Sequence, residues 1–109
     1  MEHFYNVKMR EKNRIIKVAT LKEFWEKHPT AKAPLESWYD EAKKDSWKTT
    51  TDIRRKYRTA DFLKGDRVVF NIGGNKFRLI VKIEYKISLI FIRFIGTHAE
   101  YDKVDAETI

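Results

Sequence analysis

The spacing of apolar positions changes part-way along this chain, from a helical period to an alternating one. Arg14-Ile15-Ile16-Lys17-Val18 is short and rich in β-branched residues, which predicts a first strand. Thr20-Leu21-Lys22-Glu23 has the form of a capping box, with Thr20 accepting from the third helical N–H and Glu23 reaching back. Leu21, Phe24, Trp25 and His28 then recur at i, i+3, i+4 and i+7, one apolar stripe of a helix. Pro29 closes that helix, because the residue before a proline is pushed out of the α region. Pro34 suits the first turn of a second helix, where its missing N–H needs no partner, and Leu35, Trp38, Tyr39 and Ala42 repeat the stripe. Two such helices joined by a few residues predict an antiparallel αα-hairpin. A third, weaker helical stretch follows Thr51-Asp52, with Ile53 and Tyr57 on one side and arginines on the other.

From Gly65-Asp66 onward the period is two. Strands are expected over residues 67–71, 77–85 and 89–95, with Gly73-Gly74 supplying the positive φ angles of a tight hairpin and residues 85–88 the next turn. A strand, two or three helices and an antiparallel meander make an α+β fold, expected to fill residues 1–109 as one domain. The amphipathic helices would cover one face of the sheet and leave the other open. In residues 77–85 the odd positions are apolar and belong to the core, so Arg78, Ile80, Lys82 and Glu84 share the open face. In the last strand Ile90, Ile92 and Phe94 form one row, and Leu89, Phe91, Arg93 and Ile95 the other. Arg93 goes to the open face, since a core position would bury its guanidinium without a partner. Arg78, Lys82 and Arg93 would then gather beside the Phe91 ring.

Composition narrows the class. Hydrophobic residues are 42% and aromatics 14%, enough for a packed core, and there is no cysteine for a disulfide or a thiolate metal site. A cytoplasmic protein fits that cysteine count. No apolar leader and no membrane-length run is legible, so no membrane partner is expected. Met9 precedes Arg14, which makes residues 1–8 candidates for a dispensable extension, although Phe4, Tyr5 and Val7 are apolar enough to dock. Net charge is +7, and residues 43–58 alone hold Lys43, Lys44, Lys48, Arg54, Arg55, Lys56 and Arg58 against Asp45 and Asp52. Clustering of this kind suits a polyanion such as RNA, although a solvated helix face has the same composition.

After the last strand comes Gly96-Thr97-His98-Ala99-Glu100-Tyr101-Asp102. Cleaving RNA by its own 2′-OH needs a base, an acid for the leaving 5′-oxygen and positive charge on the phosphorane. His98 can serve either proton role, and Tyr101 can donate a proton or position the phosphate. No H-E-x-x-H, carboxylate cluster or P-loop is present, so neither a metal nor any other cofactor is expected. The same cations also fit a non-catalytic RNA- or ribosome-binding module, or a surface that receives an acidic protein.

Arg67-Val-Val-Phe-Asn-Ile-Gly-Gly-Asn-Lys-Phe-Arg-Leu-Ile-Val-Lys-Ile, followed by Phe91-Ile-Arg-Phe-Ile-Gly-Thr-His-Ala-Glu-Tyr-Asp, resembles the C-terminal half of HigB-type toxins of the RelE superfamily. Leu21-Lys-Glu-Phe-Trp-Glu-Lys-His-Pro and Ala33-Pro-Leu-Glu-Ser-Trp-Tyr resemble that family's two-helix segment. The blocks occur in the family's order and span about residues 14–109, leaving 1–13 outside. The resemblance implies a RelE-like fold, with helices on one face of a small, mainly antiparallel twisted sheet. It implies an endoribonuclease that cuts mRNA on translating ribosomes and a HigA-type antitoxin that neutralises it, with operator DNA met only through the antitoxin complex. It also implies that the strand cations Arg78, Lys82 and Arg93 and the loop residues His98 and Tyr101 form the catalytic site.

Overall fold

The computed structural model describes residues 11–109. The docking expected of Phe4, Tyr5 and Val7, and the dispensability of residues 1–8, fall outside them. In chain order the elements are β1 (Arg14–Ile16), α1 (Val18–Lys27), a 3-10 turn (Pro29–Ala31), α2 (Lys32–Lys44), α3 (Thr50–Lys56), β2 (Asp61–Leu63), β3 (Arg67–Ile72), β4 (Phe77–Glu84), a 3-10 turn (Tyr85–Ile87), β5 (Leu89–Thr97) and α4 (His98–Tyr101).

The first helix starts earlier than its sequence suggests. Lys17 takes a left-handed conformation, φ 71°, which turns the chain straight from β1 into α1. Thr20 therefore lies inside the first turn, its N–H donating to the Lys17 carbonyl at 3.0 Å, and the expected capping box of Thr20 and Glu23 does not form. A complete box stands instead at α3. Thr49 Oγ accepts the Asp52 N–H at 3.4 Å, while Asp52 accepts the Thr49 N–H at 3.2 Å. Pro29 does end α1 at Lys27, and Pro34 sits in the first turn of α2.

The sheet is five-stranded, ordered β1-β5-β4-β3-β2, with β1 parallel to β5 and every other pairing antiparallel. β2 has no counterpart in the sequence reading. Asp61-Phe62-Leu63 is too short for an alternation to register, and it becomes a strand only by pairing with Arg67–Val69 through a turn at Gly65 and Asp66, φ 72° and 58°. Gly73 and Gly74, φ 63° and 70°, make the expected hairpin turn.

One face of the sheet carries Val68, Phe70, Ile72, Phe77, Leu79, Val81, Ile83, Ile90, Ile92 and Ile95 into a core with Leu21, Leu35, Trp38, Ala42, Trp47 and Ile53 of the helical half. Trp47 lies 5.9 Å from Phe70, and the Tyr57 ring stands edge-on to both. The Tyr57 hydroxyl donates to Glu41 at 2.6 Å, which ties α3 to α2; burial and then that carboxylate push its pKa up.

Polar links also fix the α2–α3 connection. Lys48 Nζ donates to the buried Ser88 hydroxyl at 2.7 Å, pinning the β4–β5 turn to the α2–α3 connection. Asn13, itself buried, donates to the Ala42 carbonyl at 2.9 Å and accepts the Trp47 N–H at 3.2 Å. Truncating Asn13 leaves the Trp47 N–H without this partner, a cost of about 1–3 kcal/mol, while the Ala42 carbonyl keeps the Asp45 N–H at 3.3 Å. Asn13→Ala is thus expected to lower unfolding stability by about 1–3 kcal/mol, read from urea denaturation with an unchanged m-value.

Candidate functional site

Strand register decides which side chains share the face opposite the helices. A β-bulge between Ile80 and Val81 leaves Phe94 opposite Ile80 and Ile92 opposite Val81, so Arg93 is the extra residue of β5. This corrects the uninterrupted alternation expected of the last strand. Ile95 moves to the core with Ile90 and Ile92, and Phe94 moves to the opposite face with Phe91. Arg93 projects, exposed, from the bulge, in keeping with the placement expected of it.

Beyond that correction the face is a set of cross-strand rows over β3, β4 and β5. Arg67, Lys82 and Phe91 form one row, Val69, Ile80 and Phe94 the next, and Asn71, Arg78 and Gly96 the last. An apolar band thus separates two cationic ends. Val69 and Ile80 are buried although they lie outside the core cluster. Gly96 matters to this band: a Cβ there would lie 2.5 Å from the tip of the Phe94 ring, so its missing side chain lets Phe94 lean across the sheet.

At the Arg78 end, β5 runs directly into α4. Thr97 caps that short helix, its hydroxyl accepting from Glu100 N–H at 3.2 Å while Glu100 accepts the Thr97 N–H at 2.8 Å. The cap aims two side chains. Tyr101 lays its ring 5.0 Å from the Arg78 guanidinium, and His98 Nε2 meets Asn75 Oδ1 of the β3–β4 turn at 3.2 Å. A carboxamide oxygen only accepts, so Nε2 carries the proton in that contact and Nδ1 stays available. Arg78 Nε is buried without a hydrogen-bond partner, and so is the Oδ1 of Asn71, its neighbour on β3. Buried groups left unpaired are uncommon; the indole nitrogens of Trp38 and Trp47 in the core are two more, but Arg78 and Asn71 are neighbours in one row of the open face.

The other end is arranged differently. Lys82 pairs with Glu84 at 3.3 Å, and Arg93 Nε donates to the Ile109 main-chain oxygen at 3.1 Å. Arg67 donates to the same oxygen from Nε at 3.0 Å and Nη2 at 2.6 Å. Arg78 and Lys82 lie four positions apart on β4, about 13 Å along the strand, too far for the five expected site residues to meet at one point. The structure groups Arg78 with Tyr101, sets His98 beside Asn75 on the same strand end, and holds Lys82 and Arg93 with Arg67 at the other. Arg67, Asn71 and Asn75 were missed by the sequence reading. Extending its own alternation to residues 67, 69 and 71 would have found the first two.

The basic segment is divided as well. Lys43 lies 3.9 Å from Asp40 and over the Tyr39 ring, Arg54 stacks 4.8 Å from the Phe62 ring, and Lys48 is held by Ser88. Lys44 and Lys56 line a shallow depression with Asp40, Glu41 and Asp45. Arg55 and Arg58 are exposed.

Comparison with known proteins supplies the family. Residues 31–104 match a family described as HigB_toxin, the RelE-like toxic component of a toxin–antitoxin system. The chain belongs to the HigB toxin family. An mRNA interferase HigB of Escherichia coli O6:H1 (strain CFT073) is 32% identical over 92 residues, covering 83% of this chain and 89% of the relative. The mRNA interferase toxin HigB of E. coli K12 is 29% identical over 90 residues, covering 81% and 86%, and a Shigella flexneri mRNA interferase HigB matches equally well. For a HigB-family toxin the helical half packed on one sheet face is the RelE-like arrangement, and membership implies an antitoxin partner. No helix among the described residues is long and apolar enough to cross a membrane.

The α4 cap yields a pH test. Hydrogen bonding from the Thr97 backbone holds the Glu100 carboxyl below its ordinary pKa. A carboxylate whose pKa falls on folding stabilises the fold above its unfolded-state value, and that contribution is lost as pH drops through the folded-state value. Glu100→Ala should therefore melt below wild type at neutral pH, and the gap should narrow as pH falls below the ordinary carboxylate range, in thermal scans followed by circular dichroism.

Proposed function

We propose that this HigB-family chain is an endoribonuclease that cuts mRNA at the Arg78–Tyr101 end of the open sheet face. The relatives named mRNA interferases support the activity. The observation that carries its location is the Arg78 guanidinium, held against Tyr101 with Nε unpaired, at the point where β5 delivers His98.

The nucleophile is the 2′-hydroxyl of the RNA itself. Its oxygen forms a bond to phosphorus and the bond from phosphorus to the 5′-oxygen breaks. The 2′-proton goes to a base, and an acid protonates the departing 5′-oxygen, giving a 2′,3′-cyclic phosphate and a 5′-hydroxyl. Arg78 stabilises the negative charge that grows on the phosphorane oxygens, and Tyr101 fixes the guanidinium and orients the phosphate with its hydroxyl. His98, with Nδ1 available, exchanges a proton with the reacting oxygens. Lys82 and Arg93 continue the cationic face along the RNA. The nucleophile comes from the substrate and the charge stabilisation from arginine, so a metal is not required for this chemistry. Translating ribosomes in the cytoplasm are the setting, with Arg55, Lys56 and Arg58 on ribosomal or message phosphates. A HigA-type antitoxin neutralises the toxin, and operator DNA is reached only through their complex.

Arg78→Ala and His98→Gln are each expected to cut about 100- to 1,000-fold more slowly and to abolish growth arrest, with circular dichroism near wild type. Cleavage of naked RNA should persist in EDTA and leave a 2′,3′-cyclic end. Wild-type rates in both His98→Gln and Tyr101→Phe would remove the proton-transfer assignment and leave a binding module as the better reading. Charge reversal at Arg55, Lys56 and Arg58 should weaken ribosome association and flatten its salt dependence by about one slope unit per lost phosphate contact; binding unchanged across a salt series would return these residues to a solvated surface.

A further inference from the structure

Two polar atoms at the Arg78 end are withdrawn from water and have no hydrogen-bond partner among the described residues, and they are complementary. Arg78 Nε is a donor and Asn71 Oδ1 an acceptor. Their residues stand directly opposite each other in the β3–β4 register, where β-carbons lie about 4.5–5.5 Å apart. The Asn71 carboxamide is oriented from its other side. β2 pairs with β3 so that Asp61 faces Val69, and the same register carried two residues further brings Thr59 beside Asn71. There Asn71 Nδ2 donates to the Thr59 carbonyl at 3.3 Å. A carbonyl only accepts, so the nitrogen has to face Thr59. The planar group then turns its oxygen away from β2, toward β4 and Arg78. The guanidinium, for its part, is supported on one face only. The Tyr101 ring 5.0 Å away restrains its tilt and leaves it free to rotate in its own plane. Bidentate binding of two phosphate oxygens needs that rotation fixed as well, because two N–H groups must line up with two oxygens.

We propose that Asn71 is a positioning residue for Arg78: when RNA binds, Arg78 Nε donates to Asn71 Oδ1, and the Nη groups turn outward onto the scissile phosphate. This rests on the reading of the Arg78–Tyr101 end as the place of cleavage. Asn71 touches neither the phosphate nor the reacting oxygens and acts only through the guanidinium. Tyr101 holds the face of that group and Asn71 its inner edge, so the two supports restrain different motions. The phosphate supplies the pull, since oxygens facing the Nη groups rotate the guanidinium and bring Nε inward. The far anchor is the Thr59 carbonyl, in the turn that the Ala60 N–H closes on the Tyr57 carbonyl at 3.2 Å. A line of hydrogen bonds thus runs from the α3–β2 connection through Asn71 to Arg78.

The test uses the full chain and two readouts. In 1H–15N spectra the Arg78 Nε–H signal is identified by its loss in Arg78→Lys, and a 2′-O-methyl oligoribonucleotide, which cannot be cut, is then added. In the wild type the proton should move downfield and exchange more slowly with water, as a newly bonded proton does. Asn71→Leu should show neither change, and Asn71→Asp, which keeps an acceptor, should show both. In cleavage of a labelled message fragment at saturating RNA, Asn71→Leu should be about 10- to 100-fold slower and Asn71→Asp within about threefold of wild type. In an Arg78→Lys background Asn71→Leu should add no further loss. Both substitutions remove the donor to Thr59, so a merely structural Asn71 would make them equally slow. That result overturns the proposal, as does an Nε–H signal that responds alike in wild type and Asn71→Leu. If Asn71→Leu fails to fold, judged by its thermal melt, Asn71→Val, suited to a strand, carries the same comparison. A wild-type chain that gives the Nε–H response but cuts no RNA removes the endoribonuclease reading and leaves the positioning of Arg78 in place.

Discussion

The pairing of β4 with β5, and the single residue by which it slips at Ile80 and Val81, controls most of what this protein presents to its surroundings. A side chain in a strand has only two directions, so one extra residue exchanges the faces of everything beyond it. Upstream of the bulge Ile90 and Ile92 point into the core; downstream Ile95 does, and Phe94 joins the opposite side. The extra residue is Arg93, a side chain that neither face of a regular strand would hold so far out. Bulges that re-aim a side chain next to a functional surface are a recurring use of the irregularity. Here the bulge frees a guanidinium and sets Phe94 over Gly96 with the same residue.

The amount of structure legible in the sequence follows from how local each signal is. The stripes of α1 and α2, the glycine hairpin and the alternation of β4 depend on neighbours within a few residues, and all are realised. The features that escaped depend on partners far along the chain. Lys17 turns left-handed because β1 must leave the sheet edge directly into a helix, and β2 exists only through Val68 and its neighbours. The bulge has no mark in Leu-Ile-Phe-Ile-Arg-Phe-Ile, where either frame gives an apolar row. The candidate site was readable as residue types, since Arg78, His98 and Tyr101 do share one strand end. Its division into two ends was not, because residue spacing within one strand says nothing of which cation a neighbouring strand or the Ile109 oxygen engages.

Charge density and fixed geometry lie in different parts of this molecule. The densest basic run lies in the helical half, yet its members meet a serine, a phenylalanine, a tyrosine and several carboxylates. The sparser cations of β3, β4 and β5 have the more definite geometry, because a strand fixes their spacing and an apolar band keeps the two ends apart. A surface helix of similar composition gives attraction without geometry.

The parallel contact of β1 with β5 has a further consequence for how the molecule comes into being. Arg14 pairs with Leu89, so the first strand must wait for the last before it has a neighbour. Long loops of this kind slow folding, since their entropy is lost before the contact rewards it. During synthesis the helical half can form early, but β1 finds its edge only after β5 has left the ribosome. His98 and Tyr101 follow β5 directly. The five-stranded sheet, with the face that carries Arg78, is consequently completed only late in synthesis.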